Sequence, residues 1–213
     1  MKNLIGVYSA GGYGREILPL LRNRAVREDA ELVFVDDGVQ SAEVNTQRVL
    51  NWEKFLSEKA EKKSICLAPS DPYVRKALWE KCENSNIDIC GASADNAVIL
   101  DQVEIAAGHC LSPFVTLTSN IKIGRAFQAN IYSYVGHDCV IGDFVTFAPG
   151  AKCNGNVVVE DFAYIGTGAV IKQGRLGAPL VIGKGAVVGM GAIVTKDVPA
   201  GQTVVGNPAR PLK

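Results

Sequence analysis

The second half of the chain has apolar residues at a period of six. A strict period of six indicates a solenoid, in which each hexapeptide forms one short strand and one turn. Three hexapeptides then make one triangular coil of a parallel β-helix, and stacked coils bury a continuous apolar column. The predicted inward-facing series is Ile99, Ile105, Leu111, Leu117, Ile123, Ala129, Val135, Ile141, Phe147, Cys153, Val159, Ile165, Ile171, Ile182, Val188 and Val194.

The first part of the chain has a different pattern. The continuous apolar run at 4–8 is typical of a strand buried on both faces, and 31–35 and 64–68 are predicted as a second and a third strand. Helical spacing follows the first run, and an acidic cap with Pro72 opens a helix after the third. This βαβαβα pattern predicts an α/β lobe with a small parallel sheet and right-handed crossovers. We therefore predict two domains, a Rossmann-like lobe at 1–92 and the β-helix at 93–213.

The period of six is interrupted once. The series member after Ile171 is Ile182, five positions later than the period requires. Insertions in solenoids project outward, so residues 172–179 are predicted to form a loop at one corner. The segment from 195 to 210 does not follow the repeat, and we expect it to cap the prism.

Charge and composition limit the possible partners. Basic and acidic residues both number 22, which gives no reason to expect nucleic acid or an anionic membrane surface as a partner. The chain has no segment of transmembrane length and no export signal at its N-terminus, so we expect a cytoplasmic protein without membrane insertion. The six cysteines lack metal-site or disulfide-framework spacing and are expected to be reduced and mostly buried.

At this point the sequence resembles the hexapeptide-repeat acyltransferases. Their common closing segment is similar to VTKDVPAG at 194–201 followed by GNPA at 206–209. Within them, the turn AGGYGRE at 10–16, FVDD at 34–37 and GHDCVIG at 136–142 resemble sugar acetyltransferases of the sialic-acid O-acetyltransferase type. The members that look most similar acetylate the 4-amino group of nucleotide-linked sugars. The resemblance implies a left-handed β-helix and an acetyl-CoA-dependent N-acetyltransferase of a nucleotide-linked amino sugar.

His137 is the candidate general base. A histidine can hold the proton that an amine releases at neutral pH when its nitrogen attacks a thioester. The resemblance assigns the base to His137, and Asp138 matches the acid that orients the imidazole. The alternative is a surface histidine beside a surface acid, and the flanking match favours catalysis. The other histidine, His109, has no acidic neighbour and is interpreted as structural.

Two further positions depend on the resemblance. Asn130 matches an amide that contacts the sugar in related enzymes, although hexapeptide coils also use asparagine at left-handed corners, and both interpretations remain open. Thr146 stands where many relatives have a histidine that contacts the thioester carbonyl. The threonine can donate a hydrogen bond but carries no charge. A backbone N–H such as that of Gly155 is the alternative oxyanion donor.

The glycine-rich turn after the first strand is the candidate nucleotide site. A strand, a glycine turn and a helix place backbone N–H groups and a positive helix end together, which suits a diphosphate. The turn does not have clean G-x-G-x-x-G spacing, so a nucleotide-sugar is favoured over a dinucleotide such as NAD. Tyr13 replaces a histidine that is usual in relatives. The predicted substrate-binding residues are Ser9, Ala10, Gly11, Gly12, Tyr13, Gly14, Asp36, Asp37 and Asn130.

Acetyl-CoA has no linear motif in the sequence. In the family that the sequence resembles, the pantetheine arm of acetyl-CoA lies along the prism between neighbouring subunits. The resemblance therefore implies a homotrimer. It also implies that no metal is needed. The predicted cofactor-binding residues are Thr146, Gly155, Gly166, Gly189 and Gly191, although the glycines also serve simply to turn corners.

Three rival functions stay in view. O-acetylation of sialic acid or another sugar would use the same histidine on a hydroxyl. A zinc hydratase on this prism needs three histidines, whereas the chain has two. A non-catalytic nucleotide-sugar-binding scaffold predicts that replacement of His137 leaves function intact.

Overall fold

The computed structural model describes residues 1–212, and the chain divides into two compact units between residues 93 and 94. The first unit holds a six-stranded sheet in the order β3-β4-β2-β1-β5-β6, in which the β3–β4 pair is antiparallel and the other pairs are parallel. The strands are β1 (Asn3–Tyr8), β2 (Ala30–Val35), β3 (Glu43–Val44), β4 (Gln47–Leu50), β5 (Lys63–Leu67) and β6 (Asp88–Ile89), and a short β7 (Ala92–Ser93) ends the unit. The helices are α1 (Gly12–Ile17), α2 (Arg22–Arg27), α3 (Trp52–Ser57) and α4 (Pro72–Asn84), with a 3-10 helix at Leu18–Leu21.

The β3–β4 hairpin and helix α3 are additions to the predicted βαβαβα pattern. The hairpin turns through Asn45 and Thr46, which both have positive φ, at 49° and 62°. A two-residue turn of this kind favours Asn-Gly, and threonine in place of glycine weakens the sequence signal. Helix α3 begins after Asn51, whose side chain accepts from the amide of Lys54 at 2.9 Å. A helix this short has too little periodicity to be recognised in sequence.

The second unit is a parallel β-helix, as predicted from the period of six. Its strands form three sheets, and partners in adjacent coils are eighteen residues apart, as Leu117 is from Val135. The first sheet contains β8 (Val98–Ile99), β11 (Thr116–Leu117), β14 (Tyr134–Val135), β17 (Lys152–Cys153), β20 (Val170–Ile171) and β23 (Ile193–Val194). The second contains β9 (Val103–Ile105), β12 (Ile121–Ile123), β15 (Val140–Ile141), β18 (Val157–Val159) and β21 (Leu180–Ile182). The third contains β10 (Cys110–Leu111), β13 (Gln128–Ala129), β16 (Thr146–Phe147), β19 (Tyr164–Ile165), β22 (Val187–Val188), β24 (Thr203–Val205) and β25 (Arg210–Pro211).

The predicted series forms the core from Leu111 onward, where its members are buried. Ile99 is the clear exception, at 46% exposed, because β8 is the edge strand of its sheet and has no coil stacked on its outer side. From Leu117 onward a second buried position lies two residues before each series member, since alternate side chains of a strand share one face. Valine, alanine, isoleucine, leucine, phenylalanine, serine and cysteine fill it, for example Val115, Ser133 and Ala151.

The coils turn at three corners, each marked by a column of residues with positive φ. The first, here called the amide corner, contains Gln102, Asn120, Asp138 and Asn156. The second, the ladder corner, contains Gly108, Ala126, Phe144, Phe162, Gly185 and Gly201. The third, the glycine corner, contains Phe114, Tyr132, Gly150, Gly168 and Gly191. From the second residue of each column onward, the backbone amides donate to carbonyls of the preceding coil, so the ladder of hydrogen bonds continues around the turns.

The insertion at 172–179 is an exposed loop at the amide corner, as predicted. Its base is held by the Gly174 amide, which donates to the Gly155 carbonyl at 3.0 Å, and its tip carries Leu176 at 91% exposed. The expectation that 195–210 leaves the repeat is only partly right. Strand β24 adds to the third sheet in parallel with β22 and buries Val204, and β25 then closes that sheet in the antiparallel sense.

Candidate active site

His137 and Asp138 form an ion-pair geometry at the amide corner. His137 Nδ1 lies 2.7 Å from Asp138 Oδ2, and the two side chains are 47% and 42% exposed. Asp138 has a φ of 58°, the left-handed conformation in which the chain turns sharply between two sheets. The turn directs both side chains away from the core, where a substrate can reach them.

The carboxylate of Asp138 is bound on both oxygens. Asn120 Nδ2 donates to Oδ1 at 3.2 Å, and His137 occupies Oδ2. These hydrogen bonds, first from His137 and then from Asn120, lower the pKa of Asp138 below its ordinary value. An ionised carboxylate only accepts, so it favours the imidazole tautomer with its proton on Nδ1. Within residues 1–212, Nε2 of His137 has no hydrogen-bond partner, and its lone pair can take up a proton.

Gly155 lies directly beneath the imidazole. A Cβ at this position would lie 2.5 Å from His137 Nε2 and 2.6 Å from Cε1, closer than real atoms approach. The glycine therefore makes room for the ring, a role that the sequence did not suggest. Both neighbours of the pair lie one coil away, since Asn120 precedes Asp138 by eighteen residues and Gly155 follows His137 by eighteen. Counting one coil in each direction would have found them.

The structure does not bring Asn130 or Thr146 into contact with the His137–Asp138 pair. Asn130 is buried, its Nδ2 donates to the Phe147 carbonyl at 3.1 Å, and its φ is outside the left-handed region. Its structural role is thus a hydrogen bond between coils rather than a left-handed corner. Thr146 is fully buried at 0% exposure, so a single chain presents no accessible Thr146 hydroxyl to a cofactor.

The other predicted cofactor glycines lie at a different corner from Gly155. Gly166 packs on the next coil, where an added Cβ would lie 2.6 Å from the Val188 carbonyl oxygen and 2.7 Å from the carbonyl carbon of Gly189. Gly191 belongs to the glycine corner and has a φ of 66°, with open space around it. Gly166 is therefore required by close packing, and Gly191 by backbone conformation. At Gly189 an added Cβ would lie 2.7 Å from the side-chain atom Cγ1 of Val205.

His109 lies at the ladder corner, directly after Gly108. Its Nδ1 is 3.3 Å from the Ala106 carbonyl, and burial lowers its pKa while that contact opposes the shift. A neutral, mostly buried imidazole bound to a backbone carbonyl is a structural group.

In the first unit, the glycine turn and Asp36 are joined at the carboxyl ends of β1 and β2. Asp36 Oδ2 accepts from the Ala10 amide at 2.8 Å, and Oδ1 accepts from the Gly38 amide at 2.9 Å. Asp36 thereby fixes the shape of the turn. Ser9 has a φ of 90°, and a Cβ on Gly14 would lie 1.9 Å from the Ser9 carbonyl oxygen, so the turn admits only glycine at position 14. The turn ends in helix α1, where Gly11, Gly12, Tyr13 and Gly14 form the cap and first turn.

Asp37 is the centre of a cluster that the sequence did not predict. It accepts from Tyr8 Oη at 2.6 Å, from the Trp52 amide at 2.8 Å and from Lys81 Nζ at 3.1 Å. Burial raises the pKa of Asp37, but these hydrogen bonds outweigh burial and lower the pKa below its ordinary value. Burial and the bond to Asp37 raise the pKa of Tyr8. Lys81 also lies 4.7 Å from the Trp52 ring centre, and because it comes from the distant helix α4, no local spacing signals it.

Among residues 1–212 there is neither a cluster of metal-binding side chains nor a membrane-spanning helix. No group of three or more His, Cys, Asp or Glu side chains in this range could hold a metal ion. No helix in the same range is both long and apolar enough to cross a membrane. All six cysteines are free and buried.

Comparisons with known proteins identify the family. No protein-family model matches the chain. The GDP-perosamine N-acetyltransferase of Escherichia coli O157:H7 is 51% identical over 99% of this chain and 97% of its own length. The structure of WeeI from Acinetobacter baumannii AYE has 54% identity and a TM-score of 0.95, covering 99% of this chain and 100% of that one. The acetyltransferase domain of PglB from Neisseria gonorrhoeae FA1090, in complex with acetyl coenzyme A, has 28% identity and a TM-score of 0.87 with full coverage of both chains.

These similarities extend over both units, not over the repeat alone. The predictions of an acyltransferase and of acetyl-CoA as its acyl donor are confirmed at the level of the family. On identity and coverage, the chain belongs to the family of the GDP-perosamine N-acetyltransferases.

Proposed function

We propose that this enzyme transfers the acetyl group of acetyl-CoA to the 4-amino group of GDP-perosamine. The observation that carries the proposal is the full-length similarity to an enzyme named for this activity, together with an accessible His137–Asp138 pair in the β-helix. The sequence alone left the nucleotide and the sugar open. The family relationship favours guanosine diphosphate and perosamine.

His137 is the proposed general base. As the sugar amine attacks the thioester carbonyl carbon, the C–N bond forms, the carbonyl π electrons move to oxygen, and Nε2 takes the amine proton. Collapse of the tetrahedral intermediate re-forms the carbonyl and breaks the C–S bond. The leaving thiolate of CoA then receives the proton from Nε2, so the histidine returns to its starting state. The free Nε2 and the Nδ1 contact with Asp138 support this role.

Asp138 stabilises the imidazolium that forms during transfer, by the charge-assisted contact at 2.7 Å. The proposed oxyanion donor is the backbone N–H of Gly155, the residue whose Cα faces the imidazole, and this N–H donates to no described backbone carbonyl. The buried position of Thr146 favours this backbone donor over the threonine hydroxyl.

The glycine turn of the first unit is the proposed site for the nucleotide diphosphate. Asp36 ties the Ala10 amide and shapes the turn, so that the N–H groups at the start of α1 face one point. Asp37 follows Asp36 in the chain and accepts hydrogen bonds from Tyr8 and Lys81. It is proposed to border the nucleoside.

A homotrimer is the proposed assembly, in which the acetyl-CoA arm lies between neighbouring prisms. The exposed apolar side chains of the glycine corner support self-association, since Phe114 and Tyr132 stack at 4.9 Å and are 52% and 61% exposed. Gly191, which has open space around it, would let a cofactor approach that corner closely, whereas Gly166 and Gly189 face neighbouring protein atoms.

A substrate panel tests the proposed reaction. The enzyme is given acetyl-CoA with GDP-perosamine, with UDP- and dTDP-linked 4-amino sugars, and with free sialic acid, and release of CoA thiol is followed. We expect the highest kcat/KM with GDP-perosamine. Turnover of sialic acid without turnover of any amino sugar would show O-acetylation instead. No turnover of any of these compounds would favour the binding scaffold.

Replacement of the base is the matching test of mechanism. We expect His137→Ala and His137→Asn to lower kcat by about a hundredfold or more, the typical contribution of a general base. The structural histidine supplies the control, because His109→Gln removes the other imidazole of the chain and should leave kcat within about twofold. A loss of only a few-fold in both His137 variants would contradict the assignment.

A further inference from the structure

The side-chain amide of Asn120 binds Asp138 from the preceding coil. Its Nδ2 donates to Asp138 Oδ1 at 3.2 Å, while His137 Nδ1 holds Oδ2 at 2.7 Å. The three groups therefore form a chain from amide to carboxylate to imidazole. Within residues 1–212, the Asn120 amide reaches the imidazole only through this carboxylate.

The main chain fixes the position of this amide. Asn120 and Asp138 occupy equivalent corner positions in adjacent coils, with φ values of 56° and 58°. The Asn120 backbone amide donates to the Asp101 carbonyl at 3.2 Å, and the Asp138 backbone amide donates to the Ser119 carbonyl at 3.0 Å. Stacking of the coils thus places the Asn120 side chain within reach of the Asp138 carboxylate in the next coil, where Nδ2 makes its hydrogen bond.

Asp138 needs such a support because its side chain is 42% exposed. An exposed carboxylate exchanges rotamers and water partners freely, and an imidazole that depends on it loses its orientation. Nδ2 of asparagine can only donate, so the contact selects one carboxylate rotamer and favours its ionised form. Both effects keep the Nδ1 proton of His137 directed at Asp138 and leave Nε2 as the acceptor.

We propose that Asn120 is a positioning residue for the acetyl transfer, which acts on His137 only through Asp138. The inference depends on the proposed role of His137 as general base. It adds a third residue to the pair, drawn from the preceding coil, and it assigns that residue an effect on the chemical step rather than on substrate binding.

The test replaces Asn120 by glycine, which removes the side chain and accepts the left-handed backbone without strain. We expect Asn120→Gly to lower kcat by about tenfold, the size of one hydrogen bond to a charged group, with KM for both substrates within about twofold. Gln102→Gly is the matched control, since Gln102 occupies the same corner one coil earlier with a φ of 57° and an exposed side chain. It should keep the wild-type kcat.

A double-mutant cycle separates positioning from a general structural role. In an Asp138→Gly background, Asn120→Gly should cause no further loss of kcat, because its effect passes through Asp138. An equal loss in both backgrounds, or a loss below about twofold in the wild type, would overturn the inference. If His137→Ala keeps its rate, the proposed base fails and this inference fails with it. If His137→Ala loses its rate and Asn120→Gly does not, only the role of Asn120 is wrong.

Discussion

The amide corner and the ladder corner share a backbone conformation but differ in the contacts that their side chains make. Both are columns of residues with positive φ, repeated from coil to coil. At the ladder corner the side chains bind one another. Arg125 holds Asp143 through two guanidinium nitrogens at 2.9 and 2.7 Å, the Asp143 amide donates to Asp161 Oδ1 at 2.9 Å, and Phe144 and Phe162 stack at 5.4 Å.

At the amide corner the side-chain hydrogen bonds end at the imidazole of His137. Asn120 binds Asp138 and Asp138 binds His137, but Nε2 of the imidazole has no partner among residues 1–212. At the ladder corner a side chain of the next coil continues the contacts, whereas at the amide corner the residue of the next coil is Gly155, which has no side chain. The two corners thus differ in their side chains and not in the backbone conformation that the coils repeat. The proposed base lies where one coil places a histidine and the next coil leaves room for its ring.

One added methyl group at Gly155 should therefore remove activity with little effect on stability. The three atoms nearest to an added Cβ all belong to the half-exposed His137 ring, which can move aside. Because a shift of about 1 Å in a catalytic group can cost about a hundredfold in rate, we expect Gly155→Ala to lower kcat by that order. Steady-state kinetics and thermal unfolding on the same sample test this. Wild-type kcat, or a Tm lowered by more than about 5 °C, would contradict it.

The same methyl group at the ladder corner should do the reverse. A Cβ on Gly142 would lie 2.5 Å from Asp161 Oδ1 and 2.6 Å from the Asp161 backbone nitrogen, which cannot move aside. Overpacking of this kind costs about 1 to 3 kcal/mol, so Gly142→Ala should lower the free energy of unfolding by that amount. Urea denaturation measures it. At room temperature the folded variant should keep the wild-type kcat/KM, and a loss of activity without a loss of stability would remove the contrast between the corners.

The ladder should also make stability depend on pH, by a smaller amount. Burial tends to raise the pKa of Asp143, but the hydrogen bonds from Arg125 prevail and lower it from its ordinary value of 3.8. A lowered pKa stabilises the fold above the unfolded value, and this stabilisation is lost as pH falls through the folded pKa. Asp143→Asn should thus cost about 1 kcal/mol at pH 7 and progressively less below pH 3.8, measured by urea denaturation.

The exposed Asp101 at the amide corner is the control for that measurement. Asp101→Asn should change the free energy of unfolding by less than about 0.5 kcal/mol at either pH. An Asp143→Asn penalty that is the same at neutral pH and about one unit below the ordinary carboxyl pKa would indicate lost packing rather than lost charge.

Sequence reasoning was strongest where the same interaction is repeated. The inward series predicted the stacked core, because each coil repeats the environment of the one before it. It failed at Ile99, where the stack ends and the repeat has no further coil to pack against. It also omitted the second inward column, since small residues such as Ala151 or Ser133 give little hydrophobic signal.

The candidate site was predictable only where its members are neighbours in sequence. His137 and Asp138 are adjacent, so the sequence shows the pair directly. Gly155 and Asn120 reach the pair through the stacking of coils, and that information is in the sequence only as a distance of eighteen residues. Lys81 and Tyr8 meet at Asp37 through packing of a helix against the sheet, and no periodicity encodes that contact.

The insertion at 172–179 lengthens the chain without changing the register of the strands on either side. Val159 still pairs with Ile182 and Ile171 with Val194, although five more residues lie between the coils than elsewhere. The pairing of the strands on either side therefore does not depend on the length of this loop. Since its base is bonded to Gly155, the residue under the imidazole, a change in its length would alter the surroundings of the proposed base while the prism keeps its register. For protein engineering, it is a grafting point beside the proposed base.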